Sequence, residues 1–142
     1  MELSLMKKRI LDTDTFSLWL RGDPDVVQKV NAYLSDFDCL TITIINEFEI
    51  RRGLEFRNAT AKLAQFEMFV QDNEILAFSP SACQIAAHLY ADLRRAGELL
   101  ADADLLIAAI ALANDCVLVT NNVRHFNRVK GLTVENWKGD SV

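Results

Sequence analysis

Carboxylates stand at three well-separated points of this chain, each beside an apolar run. Asp12 and Asp14 close the run Ile10-Leu11, Glu47 and Glu49 follow Leu40 to Ile44, and Asp102 and Asp104 open the run Leu105 to Ala113. Three or four carboxylates in one cleft repel one another unless cations neutralise them. A ligand set of hard oxygens without His or Cys suits Mg²⁺ or Mn²⁺. Such a site lowers the pKa of a bound water and stabilises in-line attack at phosphorus. No Ser/His/Asp order, Gly-rich phosphate loop or HExxH segment supports a rival chemistry. His88 has no second His or Cys at ligand spacing and reads as a structural or solvated residue. His125 reads as polar surface, with substrate phosphate as the alternative.

Each acid also has a plain local reading. Asp102 suits a helix N-cap, and Asp104 suits the first turn against the helix dipole. Asp12 and Asp14 suit a turn or cap before a helix over Phe16 to Leu20. Glu47 and Glu49 are two apart, so they point about 200° apart on a helix. At most one of them faces a shared site, and helix geometry does not choose. Arg51 and Arg52 fit a solvated surface, or a phosphate or carboxylate partner.

The elements that must position these acids alternate along the chain. Lys7 to Leu11 reads as a first strand ending in acids. Gly22-Asp23-Pro24 is a helix start, with Asp23 as N-cap and Pro24 at the first helical position. Val26, Val30, Tyr33, Leu34 and Phe37 then form an apolar stripe that reads as core. Leu40 to Ile44 suits a second strand, and Asn46 to Gly53 a helix. Leu63, Phe66 and Val70 mark one face of another helix. With Phe56, Met68 and Phe69, this middle region carries enough apolar bulk to serve a partner surface.

Glu74 to Phe78 reads as a third strand. Ser79-Pro80 starts a helix that buries Ala82, Ala86, Leu89 and Leu93 and stops at Gly97. The helix over Leu105 to Ala113 is apolar all round, hence buried. It feeds Cys116 to Val119, a run suited to a strand covered on both faces. Gly131 to Val134 reads as an edge strand. The pattern predicts an α/β fold with a mostly parallel central sheet flanked by helices on both faces, in one domain over residues 1–142.

At 142 residues, 51% of them hydrophobic, the chain is long enough for a sizeable core and too apolar for disorder. No apolar run approaches the roughly 20 residues that span a bilayer. The opening residues, with the basic cluster after Leu3 to Met6, lack the order of a signal peptide, so a cytoplasmic protein is expected. Cys39, Cys83 and Cys116 are odd in number and set in apolar surroundings, which predicts buried reduced thiols. A net charge of −5 argues against a broad basic surface for duplex nucleic acid. It does not exclude a nucleic-acid enzyme whose metal ions offset local charge.

Taken together, ILDTD at 10–14, EIRRG at 49–53, ADADLLIAAIAL at 101–112, and LVTNN with the HF, GL and VENW that follow it resemble the PIN-domain family. Within it they are most similar to VapC-type toxins of bacterial toxin–antitoxin pairs. The resemblance runs from about Arg9 to Trp137. It implies a Mg²⁺- or Mn²⁺-dependent endoribonuclease acting on RNA. It also implies a cognate antitoxin that inserts into a groove near the active site, and the apolar middle region adds the expectation of a homodimer. By position, the family's acids fall on Asp12, on Glu49 rather than Glu47, and on Asp104. A further family acid, after the Thr of the last motif, falls on Asn122 here. Thr120 and Asn122 would then orient water or a ligand, with Asp102 or Asp14 compensating.

Two rivals compete with this reading. Asp12-Thr13-Asp14 and Val117 to Asn121 mimic motifs of haloacid-dehalogenase-like phosphatases, but the order is wrong and the expected Lys is missing. A non-catalytic interaction module would keep the fold, although it would not need the trio Asp12, Glu49 and Asp104.

Overall fold

The computed structural model describes residues 7–139. The reading of Leu3 to Met6 therefore lies outside the described residues. Five short strands form one sheet: β1 (Arg9–Leu11), β2 (Thr41–Thr43), β3 (Glu74–Leu76), β4 (Val117–Val119) and β5 (Val134–Glu135). Their order is β3-β2-β1-β4-β5 and every pairing is parallel. The expected mostly parallel sheet is thus parallel throughout, and the last strand does lie at an edge. Parallel neighbours need crossovers, which seven helices supply. These are α1 (Thr13–Leu20), α2 (Pro24–Leu34), α3 (Ile44–Phe56), α4 (Thr60–Asp72), α5 (Pro80–Ala96), α6 (Asp102–Ala113) and α7 (Val123–Phe126).

Successive strand residues point to opposite faces, and the core divides accordingly. Ile10 and Leu118 pack with Ala86, Leu89 and Leu93 of α5 and with the buried α6. Leu11, Ile42 and Val119 pack on the other face with Phe16 of α1, Val26 and Val30 of α2, Ile50 of α3 and Phe66 of α4. Both faces are therefore covered by helices. Among the described residues no helix is long and apolar enough to cross a membrane.

Local chemistry explains the boundaries. Asp23 caps α2, accepting from the Val26 amide at 3.2 Å. Gly97 ends α5 at φ 72°, where its own amide reaches the Arg94 carbonyl and the Glu98 amide reaches Leu93. That is the left-handed helix stop for which glycine is suited.

Some expectations need correction, and the apolar middle region divides between core and surface. The second strand stops at Thr43, because Thr43 caps α3 and turns Ile44 into the helix, 39% exposed. Leu34 is exposed, not core: it lies about 100° around the helix from Tyr33, and Tyr33 takes the buried position. In the middle region Phe69 joins the core, while Phe56 (88%) and Met68 (65%) stay exposed. Of the cysteines only Cys116 is buried; Cys39 is partly covered and Cys83 faces solvent, and all three are free thiols.

Candidate active site

Because β1, β2 and β4 run parallel, their carboxyl ends share one side of the sheet. Asp12 follows β1 directly, and its amide donates to the Val119 carbonyl at 2.8 Å. It is also the N-cap of α1, its Oδ1 accepting from the Thr13 amide at 2.9 Å. Cap and strand-end acid are thus the same residue. Thr120, the first residue after β4, donates its hydroxyl to Asp12 Oδ2 at 2.8 Å. Asn46, in the first turn of α3, donates to Asp12 Oδ1 at 3.2 Å. Asp12 is 7% exposed and all three of these donors are neutral. Burial, Asp14 and Asp104 push its carboxyl up to about 6, against the bonds from Thr120 and Thr13.

The other acids surround it. Asp104 sits in the first turn of α6, partly buried. Burial, Glu49 and Asp14 raise its pKa, and His125 opposes them. Asp14 accepts from the Thr15 amide at 2.6 Å and from the Asn121 amide at 3.1 Å, tying α1 to the end of β4. Glu49 accepts the Thr13 hydroxyl at 2.7 Å. Glu47 instead pairs with Arg51 at 2.7 Å, and Arg51 also holds Glu67. Arg52 stacks on Phe48 and stands 4.0 Å from Glu49.

Asp102 departs from expectation. The N-cap of α6 is Ala101, without a side-chain cap. Asp102 is the first helical residue, exposed, with no hydrogen bond or ion pair among the described residues. Asn122 donates its amide to Thr120 Oγ1 at 3.0 Å, and its side chain lies 2.7 Å from His125 Nδ1. His125 is exposed, as is His88, which stands 3.3 Å from Asp92.

Sequence reading missed Asn46 and Thr13. Asn46 is fully buried, and Thr13 is the residue through which Glu49 reaches the site. The signal for Asn46 was a capping-box spacing, Thr43 to Asn46, placed where a strand ends among acids.

No three acid, His or Cys side chains among the described residues converge closely enough to hold a metal ion as they stand. The donor set nevertheless fits a hard divalent cation. Its oxygens come from carboxylates, and Mg²⁺ is bound by one or two carboxylates plus water and phosphate, not by a closed protein cage.

Fold and site together define a parallel α/β protein with acids at its strand ends. The PIN domain family model matches residues 9–132, and the chain belongs to that family. It is 31% identical over 134 residues to a tRNA(fMet)-specific endonuclease VapC of Salmonella typhimurium, covering 93% of this chain and 99% of the relative. It is 28% identical over 129 residues to a Ribonuclease VapC2 of Rickettsia felis, covering 90% and 96%. Among solved structures, DNA-bound VapBC from S. typhimurium matches with a TM-score of 0.82 and 30% identity, over 93% of this chain and 99% of that one. VapBC2 from R. felis bound to a promoter DNA fragment matches with a TM-score of 0.81 and 27% identity, over 92% and 98%.

Proposed function

We propose that this chain is a divalent-metal-dependent endoribonuclease and the toxin of a type II toxin–antitoxin pair. The carrying observation is Asp12: a buried carboxylate pushed up to about 6, with Asp14 and Asp104 adding negative charge and, among the described residues, no cationic side chain bonded to it. Structural charges in folded proteins are paired; this one is arranged to receive a cation. Asp12, Glu49 and Asp104 are the proposed ligands, with Thr120, Asn122 and Asp14 as helpers. Asp102 is left out of this set: it is exposed, with no hydrogen bond or ion pair among the described residues, whereas Asp104 is partly buried and feels the charges of Glu49 and Asp14.

A bound Mg²⁺ or Mn²⁺ would lower the pKa of a coordinated water and offset charge developing on the phosphate. The chain's own residues do the rest. Thr120 and Asn46 fix both oxygens of Asp12. Asp104 and Glu49 offer carboxylate oxygens to a water or to the ion. His125, exposed beside Asn122, is placed to donate to a substrate phosphate. A cleft of about 320 Å³ runs from Thr13 and Glu49 between α1, α3 and α4, past Arg21, Arg57 and Lys62. Its apolar floor, including Phe16 and Phe66, with a cationic rim suits an antitoxin segment that closes access to the acids. Exposed Phe48 and Phe56 on α3 and Met68 on α4 provide apolar surface for a homodimer. Free thiols and an RNA substrate fit action in the cytoplasm.

The test uses the purified, partner-free protein on a structured RNA pool with Mg²⁺ or Mn²⁺, and with EDTA. Cleavage is expected only with metal. Asp104→Asn should fold normally and lose more than the ~10- to 100-fold typical of residues that only orient a metal's ligands. Undiminished cleavage by a clean Asp104→Asn preparation removes the assignment.

A further inference from the structure

The Asn46 side chain joins the polar groups at the carboxyl ends of β1 and β2. Its Oδ1 accepts from the Thr43 amide at 2.9 Å and the Thr43 hydroxyl at 2.7 Å. Its Nδ2 donates to Asp12 Oδ1 at 3.2 Å and Thr13 Oγ1 at 3.0 Å. An amide has two donors and one acceptor oxygen with two lone pairs, so the group is fully used. The direction is forced: turned over, its oxygen would face the Asp12 carboxylate. Thr13 Oγ1 accepts from Asn46, so its own proton goes to Glu49 Oε1 at 2.7 Å. Every hydrogen in the chain from Asn46 to Glu49 therefore has one direction.

A helix cap alone does not require this arrangement. The capping box needs only the Oδ1 side of Asn46 and the Thr43 hydroxyl, which accepts from the Asn46 amide at 3.1 Å. The Nδ2 side is surplus to capping, and both its hydrogens point at the candidate acids. Nor does a hydroxyl or carboxylate serve in its place: Ser or Thr carries one donor, and Asp carries none and would add charge against Asp12.

We infer that Asn46 is a positioning residue for metal binding, one that through Thr13 locks Asp12 and Glu49 into a fixed spacing before the ion arrives. This rests on the proposed ligand set. Asp104 has no such tie: no hydrogen bond joins its side chain to the cluster among the described residues, and charge alone links it. Two acids are held and one is free to adjust, which suits an ion that keeps water and substrate oxygens in its shell. The spacing of the fixed pair is set by neutral bonds, while Asp104 meets its neighbours through charge.

The test is Mn²⁺ binding by the metal-free, full-length protein, followed by titration calorimetry, with thermal melting as the folding control. Thr13→Val removes the hydroxyl link to Glu49 and leaves the α3 cap intact. It should weaken Mn²⁺ binding by ~10- to 100-fold, as loss of a ligand-orienting group does. Thr13→Ser, which keeps the hydroxyl, should restore most of it. Asn46→Ala should match or exceed the loss in Thr13→Val and also lower the melting temperature, since a cap is lost too. Asp104→Asn is the control for the ligand set. If it binds Mn²⁺ as wild type does, the site reading itself fails. If Asp104→Asn loses binding while folded Thr13→Val retains it, the acids are ligands and the relay from Asn46 is only structural, which overturns this inference.

Discussion

β1 carries a buried charge at each end, and the two are treated in opposite ways. At the amino end Arg9 is 5% exposed and fully engaged. It donates to the two oxygens of Glu135 at 3.3 and 2.7 Å and to the Lys7 carbonyl at 2.7 Å. Burial works against Glu135, yet the bonds from Arg9 and Trp137 hold its carboxyl below the ordinary range. At the carboxyl end Asp12 is 7% exposed, meets only neutral donors among the described residues, and has like charges for neighbours. The first end is structure: charge matched by charge. The second carries an electrostatic cost that folding alone does not require. Two residues, Ile10 and Leu11, thus separate a matched pair that stabilises the protein from a buried carboxylate among like charges.

The sharpest way to break this comparison is to remove the matched charge. Arg9→Met leaves the partly buried Glu135 with its Trp137 bond but without the charge that matches it. The expected loss is about 3 kcal/mol, at the low end for breaking a buried pair because the Glu135 side chain keeps 32% exposure. Denaturant unfolding measures it. A neutral Arg9→Met would mean the amino end is no more structural than the other.

The opposite sign is expected at Asp12. Its native pKa of about 6 lies above the unfolded value near 4, so between these pH values the native state binds more protons than the unfolded one. Stability therefore falls as pH rises from about 4 to about 6 and stays reduced above. Two units correspond to roughly 3 kcal/mol as an upper bound. Asp12→Asn should be more stable than wild type at pH 7.5 without metal, by up to about that much. The gain should shrink towards pH 4, where wild-type Asp12 is neutral as well. Mn²⁺ should restore stability to wild type alone. An Asp12→Asn variant that is less stable than wild type at pH 7.5 would show that Asp12 serves the fold and not a site.

The difference between the two ends also explains what the sequence could disclose. Val117-Leu118-Val119 and the apolar α6 announce a doubly covered strand and a buried helix, because burial on all sides leaves no polar period. Asp12 and Asp104 were legible as acids at element ends, since a parallel sheet brings such ends together. The pairing of Arg9 with Glu135 was not: the partners are 126 residues apart and joined through β5 at the sheet edge. Asn46 was hidden for another reason. Its local pattern is that of a cap, and only the adjacency of β2 to β1 turns the spare amide hydrogens towards Asp12. Between Glu47 and Glu49 helix geometry did not choose and only the family resemblance did, because their facing depends on the rotation of α3, which begins at Ile44, two residues before the expected Asn46. Asp102 misled because an acid at a helix mouth suits several positions, and here Ala101 holds the cap.

The smallest expected effect tests that rotation. Glu47 and Glu49 lie on the same helix with the same chemistry, one paired with Arg51 and the other turned to Thr13. Glu47→Gln removes one of two acid partners of Arg51 and leaves Glu67 in place. The cost should be about 1 kcal/mol, because Glu47 is 17% exposed but Gln keeps a hydrogen-bonding group beside Arg51, and RNA cleavage should remain within about twofold of wild type. Glu49→Gln should leave stability near wild type and abolish most metal-dependent cleavage. The two variants share a helix, a charge change and a side-chain shape, so general loss of acidity predicts equal effects. Only a site on one side of α3 predicts unequal ones. If Glu47→Gln proves the more damaging, the line from Asn46 through Thr13 to Glu49 is no part of the active site, and the Arg51 side of α3 must face the RNA instead.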